Sequence, residues 1–396
     1  MNVLSLFDGM ACGMLAMQAA GITVDRYVAF EIDKYAVKTS SHNFPMIEHR
    51  GDVFKADFTE FRGFHFLIGG SPCTFWSIAQ KNNRETEASG MGWELFSQFV
   101  RALHEAQPMY FIYENNKSMS KAIRESITQA FGFEPICINS ALVSAQNRQR
   151  LYWVGRRNPD GTYSRVHVEQ PEDRGILLRD VLDGFGAKEL TEREMDYMVR
   201  STNGKYSDRW AYLQKPLEND KALCITANVS KGVPYNICAE PVNTTEDGKA
   251  QCLRATCYKD GIRNIAGNDV DKKTGVAERL VSYDCEIPTK AVSCADGKVY
   301  PVYEVKDGQI TIKGKQYPIK LQDGFYIIRK LTVSECKRLQ TVPEWYEFPV
   351  SDSQAYKMLG NGWTVVVIAH LIVATQTQND EYQLDLFGMA MAEQFE

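Results

Sequence analysis

The chain has 396 residues, of which 44 % are hydrophobic and 24 % are charged, which suits a globular protein of two domains or of one domain with an insertion. Its formal net charge of -5 does not indicate nucleic-acid binding, although a basic cleft can lie on an acidic body. The N-terminus has no basic segment typical of a signal peptide, and no apolar run reaches the roughly 18 residues of a membrane span. We therefore expect a cytoplasmic protein with reduced cysteines and no membrane contact.

Residues 1–156 alternate between strand and helix patterns. The apolar runs VLSLF, RYVAFE, HFLIGG, MYFIYE, CINSALV and LYWVG predict strands. The segments KYAVKTSSHNF and WELFSQFVRALHEAQ have apolar residues at helical spacing. Strands that alternate with helices are typical of a parallel α/β sheet with helices on both faces.

The pattern changes over residues 157–328, where turn signals such as NPDG, YKDG and VKDGQ crowd together. Short alternating stretches between the later turns predict β-hairpins in a small, mostly β domain. Helical patterns return over 329–376, in LTVSECKRLQ and VVVIAHLIVATQ. We therefore predict one α/β domain interrupted by an inserted β-rich domain, with a flexible acidic tail over 377–396.

The turn after the first predicted strand, LSLFDGMACG, favours a cofactor cradle. Backbone N–H groups at the start of the following helix would face a ligand there. Glu31 ends the second strand, where an acid commonly accepts hydrogen bonds from ribose hydroxyls, and Asp52 is suited to an adenine amino group. An ordinary turn with two surface acids explains these residues equally well when they are taken alone.

The segment FLIGGSPCTFWS places Cys73 at the end of a predicted strand, directly after Pro72. Open α/β sheets bind ligands at this edge, and a thiolate with a lowered pKa is a good nucleophile. A buried structural cysteine is the commoner alternative for this residue alone. The polar segment AQKNNRETEASGMG that follows has the composition of a mobile lid.

Charged residues follow two later strands. Glu114 ends a neighbouring strand in YENN, on the same edge of the sheet as Cys73. In QNRQRLYWVG, Arg148 and Arg150 would share one face of a strand, an arrangement that suits a phosphate or a carboxylate. A solvated surface charge is the simpler alternative for each of them.

Together, and in this order, these motifs resemble those of the DNA cytosine-5 methyltransferases. The resemblance rests on FDGMACG, Glu31, GDV, GGSPC, ENN and QNRQR, and then on RKLTVSECKRLQTVP and YKMLGNGWTVVVIAHL. In wording these motifs are most similar to the animal de novo methyltransferases and to their phage and bacterial relatives. The resemblance implies the Rossmann-like fold of S-adenosylmethionine-dependent methyltransferases, with 157–328 as the target recognition domain.

The resemblance also implies a reaction on duplex DNA. Cys73 would attack carbon 6 of a flipped-out cytosine, Glu114 would hold its ring nitrogen 3 and amino group, and carbon 5 would take a methyl group from S-adenosylmethionine. Arg150 would lie beside the flipped base and Arg148 would support the site. Residues 74–93 would close on the DNA.

Cofactor contacts follow from the same resemblance. Phe7 would pack on the adenine, Glu31 would bind the ribose, and Asp52 and Val53 would bind the adenine edge. The residues that match the motif closing the cofactor pocket are Asn361, Gly362 and Trp363. The other expected cofactor contacts are Asp8, Gly9, Cys12, Gly13, Ile32 and Pro72.

Three positions depart from the family pattern. Asn116 stands where Val is usual, Thr74 stands where Gln is common, and Asn361 agrees with the general family but not with the animal de novo enzymes. None of these changes removes a catalytic group, so we expect an active enzyme. An RNA cytosine-5 methyltransferase and a catalytically inactive DNA-binding regulator remain alternatives, as does transfer of a different group from a modified cofactor. The motif of amino-group methyltransferases is absent from the sequence.

Two features of the remaining sequence bear on metals and partners. Residues 157–328 contain six cysteines but no CxxC pair, so we expect no metal site. The tail segment QLDLF resembles the peptide by which many bacterial proteins bind the replication sliding clamp, with Gln383, Leu386 and Phe387 as anchors. A chance match is an equal alternative. Real binding would indicate a bacterial or phage setting, where such enzymes serve in restriction-modification.

Overall fold

The computed structural model describes most of the chain outside the expected recognition domain. The described residues are 1–72, 75–77, 84–183 and 331–377, with the backbone of short strands and a few further residues between 187 and 329. Cys73, Thr74 and the clamp-like segment 383–387 lie outside them.

The chain divides into two compact units. The first contains Met1–Asn139, Gln149–Glu172 and Trp363–Glu396, and the second contains Ser140–Arg148 and Asp173–Gly362. The domain boundaries expected from the sequence stay a prediction.

The first unit is built on a sheet of eight strands. They are β1 (Asn2–Leu6), β2 (Arg26–Phe30), β3 (Glu48–His49), β4 (Phe66–Gly69), β5 (Tyr110–Asn116), β6 (Ile136–Asn139), β7 (Gln149–Arg157) and β8 (Tyr163–Arg165). Their order is β3-β2-β1-β4-β5-β7-β6, and β8 pairs with β7. The first five strands pair in parallel, whereas β7 runs antiparallel to β5, β6 and β8.

The antiparallel strand β7 differs from the all-parallel sheet that the sequence pattern predicted. Parallel neighbours need a crossover of about a dozen residues or more, usually containing a helix. Only residues 140–148 connect β6 to β7, with a short 3₁₀ turn at Ser140–Leu142. Since this connection is too short for a crossover, β7 has to return antiparallel beside β6.

Helices connect the strands of the first unit. They are α1 (Cys12–Ala19), α2 (Lys34–Asn43), α3 (Gly90–Ala106), α4 (Lys121–Phe131) and a last helix over residues 365–377. The sequence analysis did not predict α4. Its signals are the Ser120 side chain, which accepts a hydrogen bond from the backbone of Ile123, and Gly132 with φ +81° after the last turn.

Aromatic side chains fill the core beneath β5. Phe96 and Phe99 from α3 and Phe131 from α4 all pack against Tyr113, with ring centroids 4.9–5.6 Å apart. Rings of this size bury much apolar area and favour such tilted or edge-on contacts. The packing fixes the carboxyl-terminal half of β5, where Glu114 lies.

The edge strand β3 contains two residues and carries charge. Both guanidinium nitrogens Nε and Nη2 of Arg26 donate to the Glu48 carboxylate, at 2.7 and 2.9 Å. Arg50 also contacts Glu48 and reaches Glu60. A short charged edge offers little to a further strand.

The described backbone of the second unit is mostly antiparallel. Its strands are Gln146–Asn147, Ala187–Glu189, Asn236–Ile237, Glu240–Val242, Ala250–Gln251, Gly275–Leu280, Ala291–Cys294, Val299–Pro301, Tyr303–Lys306, Gln309–Ile312, Lys315–Pro318 and Gly324–Arg329. The turn signal VKDGQ joins two antiparallel strands, and Asp307 there has φ +52°. The hairpins predicted for this region are confirmed at this turn and at the next.

Two helices, Val333–Leu339 and Asp352–Asn361, also belong to the second unit. The stretch Asp352–Thr377 is long and apolar enough to cross a membrane by length and composition. However, 61 % of its most apolar window is buried inside the protein, and helical structure is interrupted at residues 362–364. The core helix of a soluble protein passes the same test.

Candidate cofactor and active site

The turn after β1 has an unusual backbone. Phe7, Gly9 and Ala11 all have left-handed φ angles, of 58°, 60° and 61°. A non-glycine residue pays roughly 1–2 kcal/mol for this conformation. The turn is stabilised by the end of β2, because Asp8 N–H donates to the Phe30 carbonyl at 3.2 Å. Strain of this kind clusters at ligand sites.

Glu31 ties this turn to the loop after β2. One carboxylate oxygen accepts from Gly9 N–H, and the other accepts from the N–H groups of Ile32 and Asp33, all at 2.8 Å. A carboxylate has about four acceptor positions. Three backbone bonds therefore leave Glu31 one position for a hydroxyl group, which fits the expected contact with a ribose.

The loop after β3 is also held from within the first unit. Asp52 accepts a hydrogen bond from Phe54 N–H at 3.0 Å and begins the 3₁₀ turn Val53–Lys55. The guanidinium of Arg101 on α3 donates to the Val53 carbonyl at 2.8 Å. The backbone around the expected adenine contacts is therefore fixed by hydrogen bonds within this unit.

Two large apolar side chains lie exposed next to these acids. Ile32 is 78 % exposed directly after Glu31, and Phe54 is 47 % exposed two residues after Asp52. Small-molecule sites are commonly lined by apolar side chains with a few polar groups among them. The carboxylate acceptors and the two apolar side chains together fit a nucleoside.

Asp8 is buried beneath the turn. Its Oδ1 atom accepts hydrogen bonds from Ser5 Oγ at 2.6 Å and Tyr27 OH at 2.7 Å. Its Oδ2 atom has no hydrogen-bond partner among the described residues. Burial raises the pKa of Asp8 from 3.8 to about 6, although both hydroxyl hydrogen bonds act to lower it. The expected cofactor contact of Asp8 stays a prediction.

The first turn of α1 packs tightly on the sheet. Cys12 is buried, and a Cβ atom at Gly13 would lie 2.3 Å from Ile68 and 2.5 Å from Tyr27 OH. Only glycine fits this position, which explains one glycine of FDGMACG by helix–sheet packing.

The carboxylate of Glu114 is the centre of the second group of residues. It is 9 % exposed at the end of β5. The Nε atom of Arg150 lies 2.9 Å from its Oε1 atom, and the indole N–H of Trp363 donates to its Oε2 atom at 3.0 Å. Arg150 arrives there because it pairs with Asn116 in the antiparallel register of β5 and β7. A carboxylate this buried needs such partners to remain charged.

Gly70, in the motif GGSPC, makes room for this carboxylate. A Cβ atom at position 70 would lie 2.8 Å from Glu114 Oε2 and 3.3 Å from Trp363 Nε1. Glycine is typical of positions where a ligand approaches the backbone closely. The structure shows that Gly70 also admits a neighbouring protein side chain.

Hydrogen bonds also hold the chain that leads to Cys73. Ser71 is buried, and its Oγ atom lies 2.6 Å from Tyr113 OH. The side-chain amide of Asn115 donates to the Ser71 carbonyl at 3.1 Å. Pro72 follows, exposed at the end of β4. The described chain is thus fixed up to the residue before Cys73.

Part of segment 74–93, which is expected to close on the DNA, is held in place by burial and hydrogen bonds. Trp76 is fully buried, and its indole N–H donates to the Glu85 carboxylate at 3.1 Å. The same carboxylate accepts from Gly92 N–H at the start of α3. Arg84 donates to the Trp76 carbonyl at 3.2 Å and to the Ser118 carbonyl at 2.7 Å. The sequence analysis missed Arg84 and Glu85 as anchoring residues.

Asn116, which replaces the usual Val, extends this network. Its Oδ1 atom accepts from Ser118 Oγ at 2.8 Å, and its Nδ2 atom donates to Asn115 Oδ1 at 3.2 Å. The departure from the family pattern therefore replaces an apolar contact with buried hydrogen bonds near the end of β5.

Arg148 and Arg150 have different partners. Arg148 is 3 % exposed and donates to the carbonyls of Gly362 at 2.7 Å and Gly360 at 3.2 Å. A cation suits these carbonyls, since they end the helix Asp352–Asn361. Strand β7 begins only at Gln149, so alternation along one strand does not place the two arginines on a common face. Asn361 is exposed.

The sequence as a whole decides which family these features belong to. Residues 1–377 match the family model of C-5 cytosine-specific DNA methylases. The chain belongs to this family. It is 25 % identical to the orphan methyltransferase M.SPRI of Bacillus phage SPR, over 93 % of this chain and 95 % of the relative. It is 32 % identical to the orphan methyltransferase M.Rho11sI of Bacillus phage rho11s, over 79 % of this chain and 63 % of the relative.

Solved structures show the same fold. A putative DNA modification methyltransferase from an Escherichia coli prophage has a TM-score of 0.51 and 17 % identity, over 95 % of this chain and 99 % of the other. A Spodoptera frugiperda DNMT2 mutant has a TM-score of 0.53 and 15 % identity, over 94 % and 99 %. The predicted Rossmann-like methyltransferase fold is thereby confirmed.

The protein is therefore a DNA cytosine-5 methyltransferase, as the sequence motifs predicted. Family membership implies S-adenosylmethionine as the cofactor and DNA as the substrate.

Asp8→Asn tests the buried acid of the methylase. Because the folded pKa of about 6 exceeds the ordinary 3.8, Asp8 contributes stability below about pH 4 that is lost as the pH rises through about 6. From about pH 4 to about pH 7, we expect the unfolding free energy of the native protein to fall by up to about 3 kcal/mol relative to the variant. Urea unfolding across this range measures it.

Asp57→Asn is the matched control. Asp57 is exposed, and hydrogen bonds from Thr59 hold its pKa below the usual value. The stability contribution of Asp57 is present above about pH 4 and lost at lower pH, so its sign is opposite. If the unfolding free energies of the native protein and Asp8→Asn change with pH in parallel, the raised pKa of Asp8 is contradicted.

Gly70→Ala tests the space beside Glu114. The new methyl group would lie 2.8 Å from the flexible end of Glu114 and 3.0 Å from its backbone oxygen. We therefore expect the carboxylate to be displaced and kcat to fall by on the order of a hundredfold, with a smaller loss of stability that leaves the protein folded. Gly69→Ala is the contrasting variant, because its Cβ would lie 2.8 Å from the backbone oxygen of Leu6 and should destabilise the sheet itself. Single-turnover methylation and thermal unfolding distinguish the two. Native kcat in a folded Gly70→Ala variant would show that Glu114 does not need the space left by Gly70.

Proposed function

We propose that the methylase acts by covalent catalysis, with Cys73 as its nucleophile and Glu114 as the group that holds the target base. The observation that carries the proposal is the Glu114 carboxylate, held by Arg150 and Trp363 at the end of β5. The segment that leads to Cys73 passes beside this carboxylate at Gly70, where a Cβ atom would lie 2.8 Å from Glu114 Oε2.

The residues of the chain have distinct roles in the proposed reaction. The Cys73 thiolate forms a bond to carbon 6 of a cytosine flipped out of duplex DNA, and ring nitrogen 3 takes up a proton as the negative charge of the thiolate passes into the ring. Glu114 hydrogen-bonds to this protonated nitrogen and to the amino group. Carbon 5 becomes electron-rich and takes the methyl group. A base then removes the carbon-5 proton, and the bond between sulfur and carbon 6 breaks to release Cys73. Arg150 keeps Glu114 oriented throughout.

The cofactor is proposed to lie at the carboxyl ends of β1–β3. Bound S-adenosylmethionine supplies a methyl group on a positively charged sulfur. Glu31 has one acceptor position left for a ribose hydroxyl, and the exposed side chain of Ile32 suits the adenine ring. Asp52 and Val53 are proposed to contact the adenine edge.

Two finer expectations complete the proposal. The methylase is proposed to work in the cytoplasm of a bacterial or phage-infected cell, at a specific DNA sequence read by the recognition domain. Binding of the sliding clamp through Gln383–Phe387 stays a prediction, supported only by the sequence of this segment.

Duplex DNA that carries 5-fluorocytosine, incubated with the methylase and S-adenosylmethionine, tests the nucleophile. Fluorine cannot leave as a proton does, so Cys73 should be trapped on the DNA as a complex that survives denaturing electrophoresis. Cys73→Ser should abolish this band, and sequencing of the trapped DNA should reveal the target site. Trapping on single-stranded RNA but not on duplex DNA would favour an RNA methyltransferase. If cofactor and DNA bind normally but no complex forms, Cys73 is not the nucleophile.

Glu31→Gln tests the cofactor site. An amide NH₂ group cannot accept a hydrogen bond, so at least one of the three backbone bonds of Glu31 is lost and the turn loosens. At about 1 kcal/mol per bond, S-adenosylmethionine should bind roughly fivefold to tenfold more weakly in calorimetry. Glu60→Gln, an exposed carboxylate in a loose ion pair with Arg50, is the control. Native affinity in Glu31→Gln would place the ribose elsewhere.

A further inference from the structure

The hydrogen bond between Trp363 and Glu114 connects base binding and cofactor binding, which the roles proposed above treat separately. The resemblance places Trp363 in the motif that closes the cofactor pocket. In the structure its indole N–H donates to Glu114 Oε2 at 3.0 Å. Both residues belong to the first unit, although 249 positions separate them along the chain.

This contact completes the restraint of the carboxylate. Arg150 holds Oε1 at 2.9 Å and the indole holds Oε2, so rotation of the carboxylate about its last bond would break one of the two contacts. Each oxygen has a second acceptor position. Glu114 therefore keeps acceptor capacity for the amino group of a cytosine and for a ring nitrogen 3 that carries a proton, while its plane stays fixed.

The chemistry of the two restraining groups differs. The guanidinium of Arg150 is charged and stabilises the ionised carboxylate directly. The indole of Trp363 is neutral, and its N–H is a donor only. Trp363 therefore orients Glu114 through a directed hydrogen bond without adding a charge beside the base.

The carboxylate and the indole meet beside the space that Gly70 leaves. A Cβ atom at position 70 would lie 2.8 Å from Glu114 Oε2 and 3.3 Å from the indole nitrogen, so a larger residue would displace one of the two groups. Trp363 is only partly buried, so part of the indole surface remains available for another contact. A ligand that packs on the open surface of the indole would limit the movement of the ring. Through the hydrogen bond, the ring would then limit the movement of the Glu114 carboxylate.

We infer that Trp363 is a positioning residue that links cofactor binding to capture of the target cytosine. A cofactor packed on the indole ring restricts the ring, and the ring in turn restricts Glu114 in the orientation that binds the base. The cofactor then raises the affinity for target DNA, and by linkage the DNA raises the affinity for the cofactor. This inference rests on the proposed roles of Glu114 and of the cofactor site.

Trp363→Phe is the central variant, because it keeps an aromatic ring and removes only the N–H donor and the size of the second ring. A hydrogen bond to a charged group is commonly worth a tenfold to hundredfold change. We expect the single-turnover methylation rate, and the rate of trapping on 5-fluorocytosine DNA, to fall by about that factor. The affinity for S-adenosylhomocysteine without DNA should change by less than about threefold, since ring packing is retained.

A double-mutant cycle shows whether Trp363 affects DNA binding through Glu114. In a Glu114→Gln background, Trp363→Phe should cause little further loss of target-DNA affinity measured with S-adenosylhomocysteine present. The gain in DNA affinity on adding S-adenosylhomocysteine should shrink in Trp363→Phe. Trp345→Phe is the control, because this tryptophan is 53 % exposed and its replacement leaves the aromatic core around Tyr113 intact, so the variant should behave as the native protein.

Three outcomes overturn the inference. A loss of cofactor affinity as large as the loss of rate would make Trp363 a pocket residue only. Faster trapping in Trp363→Phe would mean that the indole competes with the base for Glu114. Additive effects of Trp363→Phe and Glu114→Gln would show that Trp363 does not act through Glu114. Failure of the proposed function is distinguishable, because Cys73→Ser would then leave trapping and methylation intact whatever Trp363→Phe does.

Discussion

The need to hold one buried carboxylate governs the arrangement of the candidate active site. Glu114 lies at the end of a central strand with 9 % of its surface exposed, and a charge in that environment is stable only with close partners. The short connection 140–148 forces β7 to run antiparallel beside β5, and the resulting register brings Arg150 to the carboxylate. Gly70 leaves the space, and Trp363 supplies the second hydrogen bond. A change in any of these features displaces the same group.

The chain on both sides of Cys73 is restrained by the neighbouring strand β5 and by the turn that follows it. Asn115 and Tyr113 hold Ser71 before the cysteine, and Arg84 bridges the Trp76 carbonyl after it to the Ser118 carbonyl. The strand that carries Glu114 therefore also restrains the segment of the proposed nucleophile. Catalysis that depends on a thiol and a carboxylate acting on one base requires such a shared support, because small displacements between reacting groups reduce rates steeply.

Most of the fold was predictable from the sequence, because strand and helix patterns are local properties. Apolar runs predicted the strands of the first unit except β3 and β8, which are short and polar, and the motif order predicted the family. The direction of β7 was not predictable from hydrophobic pattern, which is the same for parallel and antiparallel strands. The partners of Arg148 and Trp363 were also hidden, since they depend on contacts between residues far apart in the chain. Helix α4 was missed although Ser120 and Gly132 mark its ends.

The edge strand β3 has a consequence for the methylase at high concentration. An unpaired strand edge is a template on which a second molecule can add its own strand, and this is a common route to aggregation. Here the edge is only Glu48–His49, and the Glu48 carboxylate is held by Arg26 and Arg50 in a cluster of charges. Another chain would gain few backbone hydrogen bonds there and would have to displace hydrated charges. This side of the sheet therefore resists intermolecular strand addition during folding and storage.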